Sequence, residues 1–80
     1  MRLDKYLKIS RIIKRRTVAN DACDNDHIIV NGRVAKASYD VKVGDVIEIV
    51  FGQRTLKIRV LEVKETVQKA EAGLLYEVIG

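Results

Sequence analysis

The chain has 80 residues, with 15 lysines and arginines against 11 aspartates and glutamates, a net charge of +4 and a hydrophobic fraction of 48%. That is apolar content for one small core, without the length for a second domain or a deep water-excluding catalytic cavity. One cysteine and one histidine exclude a disulfide framework and a four-ligand zinc site. With no signal-type segment and no run of about 18 apolar residues, a soluble protein of the reducing cytoplasm is expected.

The first third reads as helix. At about 100° per residue, Leu3, Tyr6 and Leu7 share one side of residues 2–9, and Arg2, Lys5 and Lys8 share the opposite, solvent side. Ser10 and Arg11 break this helix, and Ile12 and Ile13 plug the core in the connection. A second helix is expected over roughly 15–25. Val18, Ala19, Ala22 and Cys23 have the spacing of its buried face, and Arg16 and Asn20 flank it. Asn25-Asp26 stops it, with Asn25 suited to the left-handed conformation.

From His27 the pattern turns to strands. Residues 28–30 and 33–35 flank Asn31-Gly32, a strong hairpin signal. Residues 36–43 read as a polar connection and Val43-Gly44-Asp45 as a turn. Residues 46–51 and 54–63 form two strands around Gly52-Gln53, residues 66–74 a helical turn, and residues 75–79 a closing strand. The expected fold class is α+β: two short N-terminal helices packed on a small, mostly antiparallel sheet.

Charge is the feature that points to function. Residues 1–20 carry seven basic side chains and one acid, whereas residues 37–80 are nearly balanced, with six basic and seven acidic. A basic patch on a near-neutral body is the footprint of a polyanion binder. The candidate contacts are Arg2, Lys5, Lys8, Arg11, Lys14, Arg15, Arg16 and Asn20, with Asn31, Arg33 and Lys36 beside them if the strand after helix two folds back. Lys14-Arg15-Arg16 stand where helix two begins, and a helix N-terminus favours phosphate through its free N–H groups and dipole. Such a ridge suits irregular RNA read by shape and phosphate contact. DNA is disfavoured because the helices are short. A membrane surface is disfavoured because the bulky apolar residues are needed for the core.

Catalysis finds little support. His27 is the only histidine and reads as a strand-entry residue, and Cys23 falls on the apolar face of helix two as a buried thiol. Asp21, Asp24 and Asp26 lack the glycine and terminal glutamate of a calcium loop. Neither a metal nor a cofactor is expected, and the protein is read as a non-enzyme.

Four blocks appear in order: Arg2-Leu3-Asp4-Lys5-Tyr6-Leu7, Arg15-Arg16-Thr17-Val18-Ala19, Ile28-x-Val30-Asn31-Gly32-Arg33-Val34 and Val41-Lys42-Val43-Gly44-Asp45-Val46-Ile47. Together they resemble the alpha-L RNA-binding domain of the ribosomal-protein-S-four type, over about residues 1–50. The layout, with Met1 at the start and Lys14-Arg15-Arg16-Thr17 at helix two, is most similar to the stand-alone ribosome-quality-control members of that family, the RqcP group, which is related to the fifteen-kilodalton heat-shock protein. The family usually has glycine after helix two, where this chain has Asp26.

The resemblance implies one RNA-binding domain over 1–80, with the motif core at about 1–50 and closing strands at about 54–79. It implies binding to large ribosomal subunits that carry peptidyl-tRNA, with contacts to ribosomal RNA and the tRNA. It also implies help to an Rqc2-type tailing factor in adding C-terminal alanine tails. No membrane partner and a monomeric state are expected. Two alternatives stand beside it: an accessory domain of an RNA-modifying enzyme, and a constitutive ribosome-associated protein. A chain that starts at Met1 and closes on a strand leads to the expectation of a free-standing factor.

Overall fold

A computed structural model describes residues 1–80. Two α-helices, α1 (Leu3–Ile9) and α2 (Arg16–Asp24), precede five strands: β1 (Ile28–Val30), β2 (Arg33–Val34), β3 (Val46–Phe51), β4 (Arg54–Val60) and β5 (Tyr76–Val78). A 3₁₀ helix, Lys69–Leu74, leads into β5. Every strand pairing is antiparallel, in the order β2-β1-β3-β4-β5. The α+β reading holds.

Alternation in the strands builds the core. Ile47 and Ile49 of β3 point the same way as Ile28 and Val30 of β1 and Ile58 and Val60 of β4, and all are buried. Leu3, Tyr6 and Leu7 of α1 and Ala19 and Cys23 of α2 join them, with no exposed surface on any of the five. Ile13 plugs the loop between the helices as expected. The Tyr6 hydroxyl donates to the Leu75 carbonyl at 2.8 Å, tying α1 to the chain entering β5.

The helices end through backbone geometry. Asp26 takes the left-handed conformation, φ 62°, its N–H donates to the Cys23 carbonyl and the His27 N–H donates to the Ala22 carbonyl. That is the paired closure which glycine usually provides. Asn25, expected to adopt the left-handed turn, has φ −96°. Its side-chain amide instead donates to the Asp21 carbonyl. Arg11 closes α1 in the same left-handed region, φ 61°, with its N–H on the Lys8 carbonyl. Asn31 (φ 52°) and Gly32 (φ 82°) form the expected β1–β2 turn, whose two central residues both need positive φ.

Three expectations change. Val18 is 49% exposed, because α2 meets the core through Ala19 and Cys23, and the flank bearing Val18 rolls outward. The strand expected over 54–63 stops at Val60, where the Leu61 and Glu62 N–H groups both turn to the Leu75 carbonyl. The connection over 36–43 is more than a polar loop. It buries Ala37 and Val41, and its Tyr39 and Ala37 carbonyls accept from the Leu3 and Asp4 N–H groups.

Candidate nucleic-acid interface

The two helix N-termini differ, and the difference locates the site. At α1 the first N–H groups are occupied: Leu3 and Asp4 donate to the 36–43 connection, and the Lys5 N–H donates to the Asp4 carboxylate at 2.8 Å. The N-terminal ammonium is fixed there too, 2.7 Å from Asp40 Oδ1. That ion pair holds the Asp40 carboxyl below its ordinary range. At α2 no side chain caps the helix, and the Arg16, Thr17 and Val18 N–H groups have no acceptor within the protein. Free N–H groups at the positive end of a helix are an anion cradle.

Arg16, the first residue of that open end, also lines a basic groove of about 440 Å³. Lys5 and Lys8 of α1, Arg11 and Lys14 of the connection, and Arg16 of α2 line it, with Ile9 between them. Glu65, Thr66 and Val67, far along the chain, form its other wall. The left-handed residue at Arg11 turns the chain back so that α1 and the start of α2 flank the same hollow. Five cations around one groove, next to unpaired helix N–H groups, suit a run of phosphates rather than a single small anion.

Asp4 organises the rest of the basic cluster. It is 2% exposed, yet charged groups converge on it from both helices. Arg2 Nε donates to its Oδ1 at 3.2 Å, Asn20 Nδ2 donates to its Oδ2 at 3.3 Å, and Arg16 Nε lies 3.5 Å from Oδ2. Burial pushes this carboxyl upward, but the hydrogen bonds from Arg2, Asn20 and the Lys5 N–H, with the Arg16 charge, outweigh it and leave it below its ordinary 3.8. Asp4 therefore stays ionised and sets where Arg2 and Arg16 point. Arg2, expected as a free solvent-facing cation, is half-exposed and held in this ion pair.

The remaining sequence candidates separate. Arg15 is the exposed residue preceding α2. Arg33 and Lys36 border a second groove with Asn31, Val34, Ser38 and Tyr39, and no residue lines both grooves. Lys36 also lies 3.8 Å from Asp26. Asn31 is exposed, but its side chain is already hydrogen-bonded within the protein. Its amide donates to Asp45 Oδ1 at 3.0 Å and its carbonyl accepts from the Val46 N–H at 2.9 Å. The nearly buried Asp45 takes two further donors, the Tyr39 hydroxyl and the Lys42 N–H, each at 2.9 Å.

The sequence reading passed over the Asp4 hub and the 65–67 wall. Asp4 sits inside the first family block, but nothing local announces that Arg16 and Asn20 reach it. Glu65 is 60 residues from Lys5. The buried Cys23 is a structural thiol, pushed up to about 11 by burial and by the Asp4 and Asp24 charges, and unsuited to nucleophilic work at neutral pH.

The S4 domain family profile matches residues 1–47, which hold every basic residue of the groove. A Streptococcus pneumoniae protein named RQC P-site tRNA stabilizing factor is 56% identical over 80 residues, spanning all of this chain and 91% of the relative. The chain belongs to the S4 domain family, in its RQC P-site tRNA stabilizing factor branch. The Bacillus subtilis member of that branch is 49% identical over 79 residues, covering 99% of this chain and 92% of its own. The fold agrees with the trimeric structure of Vibrio cholerae Heat Shock Protein 15, at a TM-score of 0.91 and 29% identity. That match covers 99% of this chain and 81% of the other. Membership in this S4 branch supports an RNA-binding protein with a role in ribosome quality control.

Proposed function

We propose that residues 1–80 act as one non-enzymatic RNA-binding unit that binds large ribosomal subunits carrying peptidyl-tRNA. It contacts ribosomal RNA and the tRNA and assists an Rqc2-type factor in extending stalled chains with C-terminal alanine. It works in the cytoplasm as a monomer.

The carrying observation is the groove where Lys5, Lys8, Arg11, Lys14 and Arg16 meet the open N-terminus of α2. The name its relatives share, RQC P-site tRNA stabilizing factor, supports tRNA as part of the target. Arg2 and Asn20 extend the contact around Asp4, and Arg15 extends it at the N-terminus of α2. Arg33 and Lys36, on their separate groove, are the proposed contacts to a second RNA segment.

Sedimentation through sucrose gradients tests the proposal. The protein is expected below stoichiometric amounts and enriched on large subunits that retain peptidyl-tRNA. An equal amount on every ribosome would identify a constitutive component. No association with subunits of either kind would remove the ribosomal reading.

A further inference from the structure

One carboxylate stands among the five cations of the groove. Glu65 is an exposed residue on the 65–67 wall, and its Oε2 forms an ion pair with Lys5 Nζ. The pair holds the Glu65 carboxyl below its ordinary range, so it is ionised at neutral pH.

The segment that carries Glu65 is weakly built. Residues 63–67 lie outside every helix and strand and take part in no backbone–backbone hydrogen bond. Val63 and Val67 pack partly buried against the core on either side. The segment is thus a strap with two apolar anchors and an acidic tip seated on a groove cation. Few buried contacts and unpaired backbone groups mark the part of a fold that opens most readily.

A carboxylate on a lysine occupies the place a phosphate oxygen would take. We propose that Glu65 is a built-in competitor for phosphate at Lys5, a residue that weakens binding of every polyanion that engages that lysine. This rests on the RNA-binding reading of the groove. Any polyanion that takes Lys5 must displace Glu65, whether it touches the groove at one point or at five. The cost is the same for each of them, so Glu65 lowers affinity without changing the ranking of ligands that use Lys5, and a ligand held by the other four cations alone escapes it. The salt dependence follows. When a phosphate displaces Glu65, the RNA releases the cation condensed on that phosphate, but the freed carboxylate attracts a cation from solution, so the net release at Lys5 is smaller.

The test is a salt titration of a labelled oligouridylate against the full chain, comparing Glu65→Gln with Glu62→Gln. Both changes add the same net charge, but Glu62 pairs with Lys64 and does not line the groove. Glu65→Gln is expected to tighten oligouridylate binding roughly two- to five-fold, the equivalent of one exposed ion pair. It is expected to steepen the log–log slope, by up to about 0.7, because no carboxylate is left to take up a cation. Glu62→Gln should leave the slope unchanged. In the Glu65→Gln background, Lys5→Ala should remove the gain in both affinity and slope. Equal behaviour of the two glutamate variants, or weaker binding by Glu65→Gln, overturns the competitor role while leaving the RNA-binding reading in place. Wild-type protein with no salt-dependent binding overturns both.

Discussion

Arg16 Nε on α2 stands 3.5 Å from Oδ2 of Asp4 on α1, so a single buried carboxylate joins the two helices that bear the basic groove. Electrostatics by counting charge and electrostatics by position give opposite answers here, and Asp4→Asn distinguishes them. The change makes the protein more positive, so charge alone predicts tighter RNA binding. Loss of the charge and of one of the two acceptor oxygens loosens Arg2 and Arg16, and we expect weaker binding by roughly three- to ten-fold, with stability lower by about 1–3 kcal/mol as charge-assisted hydrogen bonds are lost. RNA titration with urea denaturation of the same samples measures both. Tighter binding by folded Asp4→Asn would refute the positioning role.

The same carboxylate sets an acid dependence. Its folded value lies below the ordinary 3.8, so its contribution is full above that value and is lost as pH falls through the folded value. The stability difference between wild type and Asp4→Asn should be flat between about pH 5 and 7 and should shrink below 3.8. Urea midpoints across that range check it; a difference that grows on acidification would contradict the sign.

Arg2 and Leu7 separate fold support from surface charge. Arg2→Ala strips Asp4 of one partner but leaves Arg16, Asn20 and the Lys5 N–H on it. We expect a cost of about 1 kcal/mol, above the near-neutral effect of an ordinary surface change. Leu7 has no exposed surface, and Leu7→Ala opens a cavity costing about 2–4 kcal/mol. Thermal melts should rank wild type, Arg2→Ala and Leu7→Ala in falling order. At a temperature where all are folded, only Arg2→Ala should bind RNA more weakly.

The groove predicts a salt slope. The three groove cations without an ion pair, Lys8, Arg11 and Lys14, at about 0.7 each for unpaired RNA, contribute about −2 to the log–log slope, to which the paired Lys5 and Arg16 add less. Lys8→Ala should lower its magnitude by about 0.7, whereas Lys64→Ala, whose side chain pairs with Glu62 away from the groove, should not change it. A wild-type slope near zero would exclude phosphate contact.

Asp26 predicts a stabilising change. It holds φ 62° at the end of α2, a conformation that costs an L-residue about 1 kcal/mol and glycine nothing. Its ion pair with Lys36, at 3.8 Å between exposed groups, offsets little. Asp26→Gly should raise stability by about 0.5 kcal/mol and shift the urea midpoint upward. A lower midpoint would show that the side chain contributes more than the strain.

What the sequence determined by itself was local. The apolar spacing of Leu3, Tyr6 and Leu7, the alternation through β3 and β4 and the Asn31-Gly32 turn are properties of neighbouring residues, and helix, strand and hairpin follow from them. The excess of positive charge in the first 20 residues was legible for the same reason. Tertiary structure decided which of those charges act together. It closed the N-terminus of α1 with the carbonyls of Ala37 and Tyr39, left that of α2 open, and buried Asp4 between Arg2 and Arg16. It turned the Asn31 amide to Asp45, and it brought Glu65 onto Lys5 across 60 residues. Periodicity specifies the face of an element. Ion pairs and hydrogen bonds depend on atoms within about 4 Å, and those distances exist only once the sheet order has folded distant segments against one another.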